Sequence, residues 1–139
     1  MTYSIKEVAE MFDLSVYTLR YYDKQGLMPF VVKNPSGYRA FTESDLSLIH
    51  TICCLKNTGM PIKEIRKYID YCMAGPQTAP QRRVLMEAHR KKIEDEMTKL
   101  RENLVEIDHK LEIYTDPHAE QILQEMREYT ENEKAALHF

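Results

Sequence analysis

The first part of the chain alternates between short stretches of helical period and short turns. Four apolar residues share one face of a first predicted helix: Ile5, Val8, Ala9 and Phe12. Ser4 and Glu7 have the spacing of a capping box, which begins a helix by satisfying its free backbone donors. A turn at Asp13-Leu14 and a second capping residue, Ser15, predict another helix that runs to about Lys24.

The helical period stops after Gly26, a residue suited to the left-handed end of a helix. The turn-forming residues Asn34-Pro35-Ser36-Gly37 lie between two short extended pieces, residues 30–33 and 38–41. We expect these pieces to pair as a β-hairpin. Two short helices joined by a tight turn and followed by a hairpin are typical of a winged helix-turn-helix, which places one helix in a DNA groove and braces it with the wing.

Two further helices are predicted before a break in the pattern. Thr42 and Asp45 cap the third helix in an aspartate variant of the capping box. Pro61 opens the fourth helix, whose apolar stripe consists of Ile62, Ile65 and Ile69. The segment Gly75–Pro80 breaks the helical pattern and predicts the end of a first domain, residues 1–75.

The next segment carries a heptad repeat. Seven apolar residues follow one another at alternating spacings of four and three: Ile93, Met97, Leu100, Leu104, Ile107, Leu111 and Tyr114. The faces between them are charged, and so narrow an apolar seam needs a partner helix, most simply a second copy of the chain. Parallel and antiparallel pairing both satisfy this spacing.

Residues 76–116 are therefore predicted to form a linker and a dimerisation helix, which ends before Pro117. Apolar residues at positions 122, 123, 126 and 129 predict one more short helix within residues 117–139, followed by about ten loose residues. The expected fold is mainly α, with a winged helix-turn-helix domain, a long dimerisation helix and a short C-terminal helix and tail.

Charge is distributed unevenly along the chain. The 139 residues include 19 basic and 22 acidic ones, a net charge of −3, but residues 1–79 carry +1 and residues 80–139 carry −4. A near-neutral first half can bind DNA if its cations share one face, whereas the acidic half is poorly suited to phosphate. There is no apolar run near the roughly 20 residues that span a bilayer, no signal-like start and no disulfide-framework spacing of the three cysteines. A reduced, cytoplasmic protein without a membrane partner is expected.

Side chains on the second helix are the first candidates for DNA contact. Val16 and Leu19 are expected to face the first helix, and Tyr22 is expected to be a packing residue. Four residues then point outward: Tyr17, Thr18, Arg20 and Tyr21. Arginine suits guanine edges and phosphates because its planar fork donates two parallel hydrogen bonds, while hydroxyl groups suit phosphate contacts that fix register.

The hairpin supplies a second set of candidates, which consists of Lys33, Tyr38 and Arg39. Composition alone equally permits an ordinary solvated hairpin. The helix-turn-helix that precedes the hairpin favours a role in DNA binding.

Residues 3–75 resemble the DNA-binding domain of the MerR family of transcription regulators. Several separated motifs agree in order and spacing: Thr18-Leu19-Arg20-Tyr21-Tyr22-Asp23, Gly26-Leu27-Met28-Pro29, Gly37-Tyr38-Arg39-Ala40-Phe41, Asp45, and Gly59-Met60-Pro61-Ile62-Lys63-Glu64-Ile65. The heptad helix also lies where this family has its dimerisation helix, so the resemblance extends over more than 110 residues.

The resemblance implies a homodimer, joined by an antiparallel coiled coil, that binds a pseudo-palindromic site in double-stranded promoter DNA. In such a protein an effector makes the dimer bend and untwist the DNA, which aligns the promoter for RNA polymerase. DNA contacts are implied for Arg20, Tyr21, Tyr38 and Arg39 and, as a second rank, for Ser15, Thr18 and Lys56. No cofactor is implied, and the sequence has no motif of an enzyme. The alternative is an architectural DNA-bending protein similar to a phage excision factor, against which the long heptad helix argues.

The effector is a separate question. Residues 75–139 contain no cysteine, so the metal site of the family's metal sensors is absent, and about 25 residues after the long helix are too few for an enclosed pocket. A small pocket at the dimer interface is still open. Cys54, in the run Cys54-Leu55-Lys56-Asn57-Thr58-Gly59, resembles the single-cysteine branch that answers aldehydes and other electrophiles, although a buried packing role is the alternative. The scattered histidines lack metal-ligand spacing and are assigned to the surface or the seam edge: His89, His109 and His118.

Overall fold

The computed structural model describes all 139 residues and divides into two compact units, Met1–Ile93 and Glu94–Phe139. Six α-helices and two short strands follow one another along the chain. They are α1 (Ile5–Met11), α2 (Val16–Lys24), β1 (Val32–Lys33), β2 (Arg39–Ala40), α3 (Glu43–Asn57), α4 (Ile62–Ala74), α5 (Ala79–Tyr114) and α6 (Ala119–Ala135). A 3₁₀ turn, Pro76–Thr78, joins α4 to α5. The predicted fold class, mainly helical with a small wing and a long helix, is confirmed.

Side-chain caps begin three helices where the sequence predicts them. At α1 the Ser4 hydroxyl accepts from the backbone N–H of Glu7, and the Glu7 carboxylate accepts from that of Ser4. Thr42 and Asp45 form the same reciprocal box at α3, and the Ser15 hydroxyl caps α2. Because each such cap is worth about 1 kcal/mol and uses residues three apart, these helix starts are determined locally.

The core of the first unit draws on its first four helices and on the chain around the wing. Its fully buried side chains are Val8, Leu19, Leu27, Met28, Phe41, Ile49, Ile52, Met60, Ile65 and Ile69. Gly26 turns the chain from the end of α2 back into this core, with a φ of +81° and with Cδ of Arg66 only 2.9 Å from where a Cβ would lie. Glycine is required there because any side chain would be strained and crowded.

The wing is shorter than the sequence predicts. Strands β1 and β2 pair antiparallel over only two positions, Val32 with Ala40 and Lys33 with Arg39. Next to β1, the backbone N–H of Asn34 donates to the carbonyl oxygen of Tyr38 at 2.7 Å. The side-chain carbonyl of Asn34 accepts hydrogen bonds of 3.0 Å from the backbone N–H groups of Ser36 and Tyr38, which closes the turn.

The amino-terminal segment makes a contact with the wing that the sequence analysis does not predict. Tyr3 and Phe41 exchange two backbone hydrogen bonds of 2.8 and 2.9 Å, and the hydroxyl of Tyr3 donates to a carboxylate oxygen of Glu43 at 2.5 Å. The start of the chain is therefore fixed beside the base of the wing and the first turn of α3.

A polar contact fastens α5 to the end of α3. His89 of α5 is buried, and its Nε2 lies 2.8 Å from the hydroxyl oxygen of Thr58, the residue that caps α3. The Thr58 hydroxyl also lies 2.7 Å from the carbonyl oxygen of Cys54, to which it can donate its proton. The assignment of His89 to the surface or seam edge is wrong, because a contact between distant residues buries it.

A second polar cluster closes the joint between α4 and α5. Arg82 donates to the carbonyl oxygen of Gly75 at 2.8 Å and to the hydroxyl of Thr78 at 3.0 Å. The Thr78 hydroxyl in turn donates to the carbonyl of Tyr71 at 2.6 Å. These bonds occupy carbonyls at the end of α4 that the helix itself cannot satisfy. The first half of α5 is accordingly part of the first unit, which ends at Ile93, whereas the domain boundary predicted at residue 75 stays a prediction.

The second unit consists of helix surface without a buried side chain. Helix α6 has 17 residues and leaves only residues 137–139 beyond the C-cap Ala136, which corrects the expectation of a short helix and about ten loose residues. Pairs at i and i+4, such as Arg127 with Glu131 at 3.1 Å, extend it through a stretch that has no glycine or proline. None of the helices combines the length and apolarity needed to cross a membrane.

Candidate nucleic-acid interface

Helix α2 presents one face to the core and the other to solvent. Leu19 and Tyr22 are buried, so the packing role expected for Tyr22 is confirmed. On the opposite side Tyr17 is 80 % exposed, and Arg20 is also exposed. A short helix with this division can place the outer side chains in a groove while its inner side chains hold it against the domain.

The hydroxyl groups at the start of α2 form a local pair. The Ser15 hydroxyl accepts from the backbone N–H of Thr18 at 3.0 Å, and the two hydroxyl oxygens lie 2.8 Å apart. Ser15 therefore acts first as a helix cap. The exposed end of α2 still offers backbone N–H groups and the positive end of the helix dipole, features that attract phosphate.

The tip of the wing is open to solvent. Tyr38 is 73 % exposed and Lys33 is exposed on the opposite strand. The Asn34 side chain holds the turn between them by its two hydrogen bonds. A rigid turn with an exposed phenol and an exposed ammonium group is suited to phosphate contacts, which position a protein on DNA without reading its sequence.

Arg39 has a different environment from the other wing candidates. Its Nε lies 2.7 Å from Oδ2 of Asp23 at the end of α2, and the two side chains are only 26 % and 30 % exposed. This charge-assisted hydrogen bond joins the wing to α2 across 16 residues of sequence. The guanidinium group thus braces the two candidate DNA-contacting elements against each other, a role that the sequence analysis does not predict.

The start of α4 adds basic residues that sequence reasoning missed as candidates. Lys63 and Arg66 are exposed, and with Tyr21 they line one shallow depression of about 200 Å³. Their spacing of three on a predicted helix is the signal that could have found them, because it puts both cations on one face. Lys56, predicted from its own motif, is exposed on another element, the last turn of α3.

The cysteines of α3 differ in their surroundings. Cys54 is exposed, whereas Cys53 is half-buried and burial raises the pKa of its thiol. Cys72 of α4 is also half-buried. No three histidine, cysteine or acidic side chains come together in an arrangement that could hold a metal ion.

Comparison with known sequences matches most of the chain. The family described as "MerR HTH family regulatory protein" matches residues 3–72, and the one described as "MerR, DNA binding" matches residues 46–110. An uncharacterised HTH-type transcriptional regulator of Haemophilus influenzae is 38 % identical over 114 residues, which are 82 % of this chain and 84 % of that protein.

Solved structures agree with these matches. HiNmlR, a MerR family regulator lacking the sensor domain and bound to promoter DNA in its crystal structure, is 38 % identical with a TM-score of 0.76, over 82 % of this chain and 90 % of that one. A MerR family transcriptional regulator from Listeria monocytogenes is 27 % identical with a TM-score of 0.79, over 94 % and 98 % of the two chains. The exposed face of α2 and the wing thus lie on a fold whose relatives are transcription regulators, and this chain belongs to the MerR family of DNA-binding transcriptional regulators.

Proposed function

We propose that the protein acts as a homodimer that binds a twofold promoter site and alters the shape of the DNA in response to an effector. The observation that carries the proposal is that exposed DNA-contact candidates lie on a well-packed first unit, while the heptad seam lies open on α5. One half of the molecule is suited to DNA and the other to a second copy.

The DNA-contacting part of the proposal rests on α2 and the wing. Arg20 and Tyr17 point away from the core, so α2 can enter a major groove with Arg20 directed to base edges or phosphates. Tyr38 and Lys33 at the wing tip then contact the flanking backbone, and the Arg39–Asp23 pair keeps wing and helix in one orientation. Lys63 and Arg66 add two further cations for phosphate.

The homodimer rests on the exposure of the seam. From Met97 to Tyr114 the heptad residues are 44–68 % exposed in the single chain. In aqueous solution, a continuous stripe of such side chains on one helix favours pairing with a second helix that covers it. Burial of each leucine, isoleucine or methionine would stabilise the pair by about 1.5–3 kcal/mol. Two copies on one DNA also require a two-fold operator, as the half-sites must repeat the symmetry of the protein.

Promoter remodelling supplies the link to transcription. A dimer whose two α2 helices are held at a fixed separation binds best to DNA deformed to match that separation. Bending or untwisting the spacer between promoter elements would then change how RNA polymerase engages them. The single DNA-binding unit of an architectural protein needs no such long seam, which disfavours that alternative.

Cys54 is the sensor residue of the proposal. Its exposure lets an aldehyde approach, and addition of the thiolate sulfur to the carbonyl carbon would form a C–S bond, with water supplying the proton to the oxygen. The carbonyl of Cys54 accepts the hydroxyl proton of Thr58, which contacts His89 of α5. An adduct on this turn of α3 therefore has a direct route to the dimerisation helix.

The function is tested by footprinting the promoter regions that flank the gene, using the purified full-length protein with and without a thiol-reactive aldehyde. A two-fold protected region whose centre becomes distorted on aldehyde treatment is the expected result. The Cys54→Ser variant should give the same footprint without the aldehyde response. Failure of the protein to protect either flank would contradict the assignment of these promoters as its targets.

Labelling of the native protein with iodoacetamide at neutral pH tests the sensor separately. Cys54 should react first, since Cys53 is half-buried and its raised pKa leaves less of the reactive thiolate at neutral pH. Mass spectrometry of the peptides distinguishes the sites. Equal labelling of Cys53 and Cys54, or none on Cys54, would remove the basis for this sensor.

A further inference from the structure

We propose that Arg82 and Thr78 are positioning residues, which fix the direction of α5 on the first unit and thereby set the spacing of half-sites that the protein accepts in its operator. The inference deepens the proposed function and rests on its homodimer. Both residues lie at the joint between α4 and α5, and neither is a candidate for DNA contact or a member of the heptad seam.

Side chains from beyond the end of α4 occupy the last carbonyl oxygens of that helix. Nη2 of Arg82 donates to the carbonyl oxygen of Gly75 at 2.8 Å and to that of Tyr71 at 3.3 Å. Nε of Arg82 donates to the hydroxyl of Thr78 at 3.0 Å, and that hydroxyl donates to the carbonyl of Tyr71 at 2.6 Å. The guanidinium cation thus lies at the negative end of the α4 dipole. Charge-assisted hydrogen bonds therefore hold the first turn of α5 against the end of α4.

The backbone of the joint permits few alternative conformations. Gly75 has a φ of +115° and a ψ of 178°, a region that is essentially confined to glycine. A Cβ there would lie 2.6 Å from Oε1 of Gln77, whose amide nitrogen donates to the carbonyl of Ala74 at 2.6 Å. Thr78 is buried and Arg82 is half-buried, so water competes poorly for their hydrogen bonds. The joint is therefore a defined turn and not an open linker.

A second contact fastens α5 to the first unit further along the helix. Nε2 of His89 lies 2.8 Å from the hydroxyl oxygen of Thr58 at the end of α3. Arg82 and His89 are seven residues apart, so they lie on one face of α5 and about 10 Å apart along its axis. Leu85 and Met86 lie between them and pack against the core. Two attachments on one face define the direction of a helix, whereas one attachment would leave it free to pivot.

The direction of α5 determines where the dimer seam begins relative to the DNA-contacting face. Ile93, the first residue of the seam, lies four residues after His89 and belongs to the same unit as α2. The joint therefore sets the separation between α2 and the start of the proposed interface in each copy. In a twofold dimer, the distance between the two α2 helices depends on that separation in both copies.

Selectivity for spacing follows from the size of a base pair. One added base pair moves a half-site by about 3.4 Å along the DNA and rotates it about the DNA axis. Contacts that need a geometry within about 0.5 Å cannot follow such a shift if α5 is fixed. A pivoting α5 would allow each copy to follow it. Loss of the joint should thus relax the preference for one spacing.

The neighbouring arginine supplies a matched control. The side chain of Arg83 is 80 % exposed and pairs with Glu87 on the same helix. Arg83→Ala removes the same positive charge from the first turns of α5 as Arg82→Ala but leaves the joint intact. A difference between these two variants therefore reports on the joint and not on the charge of α5.

The experiment measures the affinity of the full-length protein for two DNA duplexes by fluorescence anisotropy. One duplex carries the twofold site found by footprinting, and the other carries that site with one base pair inserted at its centre. The wild-type protein should bind the unchanged site at least about tenfold more tightly than the lengthened one. Arg82→Ala should reduce this ratio to about threefold or less, whereas Arg83→Ala should retain the wild-type ratio.

The ratio of the two affinities separates positioning from stability. A variant that is partly unfolded binds both duplexes more weakly by the same factor, which leaves the ratio unchanged. Thr78→Val removes the hydroxyl from the joint at nearly constant shape and should also lower the ratio. Thr78→Ser keeps the hydroxyl and should restore the wild-type value. This pair decides the question if Arg82→Ala fails to fold.

A ratio that falls in Arg82→Ala and Thr78→Val, but not in Arg83→Ala or Thr78→Ser, supports the proposal. An unchanged ratio in the two disruptive variants, or an equal fall in Arg83→Ala, would overturn it. A wild-type protein that binds both duplexes equally would overturn it as well. All of these results leave the proposed regulator intact, because the protein still protects its site. Absence of a twofold protected region would instead contradict the proposed function itself.

Discussion

Thirteen apolar side chains are buried in the first unit, Met1–Ile93, whereas no side chain is buried in the second, Glu94–Phe139. Both units are helical and both contain regularly spaced apolar residues. In the first, several helices turn those residues toward one another, and in the second they remain on the surface. The first unit therefore has a core of its own, whereas the apolar residues of the second unit have no covering surface within the single chain.

The two units also use charge differently. In the first, Arg39 and Asp23 join the wing to a helix and are partly buried. In the second, ion pairs such as Arg127 with Glu131 join neighbours on one helix and are largely exposed. The first kind fixes tertiary structure, and the second adds only local helix stability.

The largest effect is expected from Leu104→Glu in the middle of the seam. In the proposed homodimer each copy loses a leucine of the interface and gains a carboxylate near that of its partner, so the dimer should weaken by about 3–6 kcal/mol, or at least roughly a hundredfold in Kd. Sedimentation equilibrium measures this. Val105→Glu is the matched control, because Val105 is equally exposed in the single chain but lies off the seam. Equal weakening by both variants would mean that the seam is not the interface.

A substitution in the core should destabilise the fold of the first unit. Ile65→Ala removes a fully buried side chain from α4 and should lower the free energy of unfolding by about 2–5 kcal/mol, measured by urea denaturation. Leu137→Ala, beyond the end of α6, should change it by less than about 0.5 kcal/mol. Comparable losses at the two positions would contradict the contrast between a packed unit and an open one.

Arg20→Ala tests whether the exposed face of α2 in the first unit reads DNA. If Arg20 reads a base, operator binding should weaken by about 1–3 kcal/mol while binding to unrelated DNA changes little. Fluorescence anisotropy on both DNAs at one salt concentration separates these cases. An equal loss on the two would make Arg20 a phosphate contact. Arg127→Ala in the second unit serves as the control and should leave both affinities unchanged.

The smallest effect is expected for the ion pair of Arg39 with Asp23, which joins the wing to α2. Asp23→Asn removes the charge that Arg39 faces and should lower the free energy of unfolding by roughly 0.5–1 kcal/mol. The corresponding change in the second unit, Glu131→Gln, removes an exposed i, i+4 partner and should have no measurable effect. The loss of stability is measured by thermal unfolding of both variants at the same protein concentration. A larger loss in Glu131→Gln than in Asp23→Asn would contradict the prediction.

Features encoded by neighbouring residues could be predicted from the sequence. The caps at Ser4, Ser15 and Thr42 and the end of α2 at Gly26 depend on residues within one turn of each other, and all lie where expected. The outward face of α2 followed from the same helical period. The length of α6 was underestimated because its polar i, i+4 pairs give no apolar signal.

Features that depend on distant residues could not be predicted. The pairing of Tyr3 with Phe41, the contact of His89 with Thr58 and the ion pair of Arg39 with Asp23 each join residues that are far apart in the chain. A histidine between charged neighbours gives no hint of burial, and an arginine in a wing motif looks free for DNA until its partner is located. The packing of helices decides such cases.

The bridge between Tyr3 and Phe41 has a practical consequence for work with this protein. Because the third residue is already fixed at the base of the wing, any segment fused ahead of Met1 would emerge beside the wing, one of the elements proposed to contact DNA. A polyhistidine tag there would crowd the DNA near the wing and, below about pH 6.5, where imidazole is protonated, would add cations that raise non-specific affinity. Purification tags are better attached after Phe139, and binding constants measured with an amino-terminal tag would describe the tag as well as the protein.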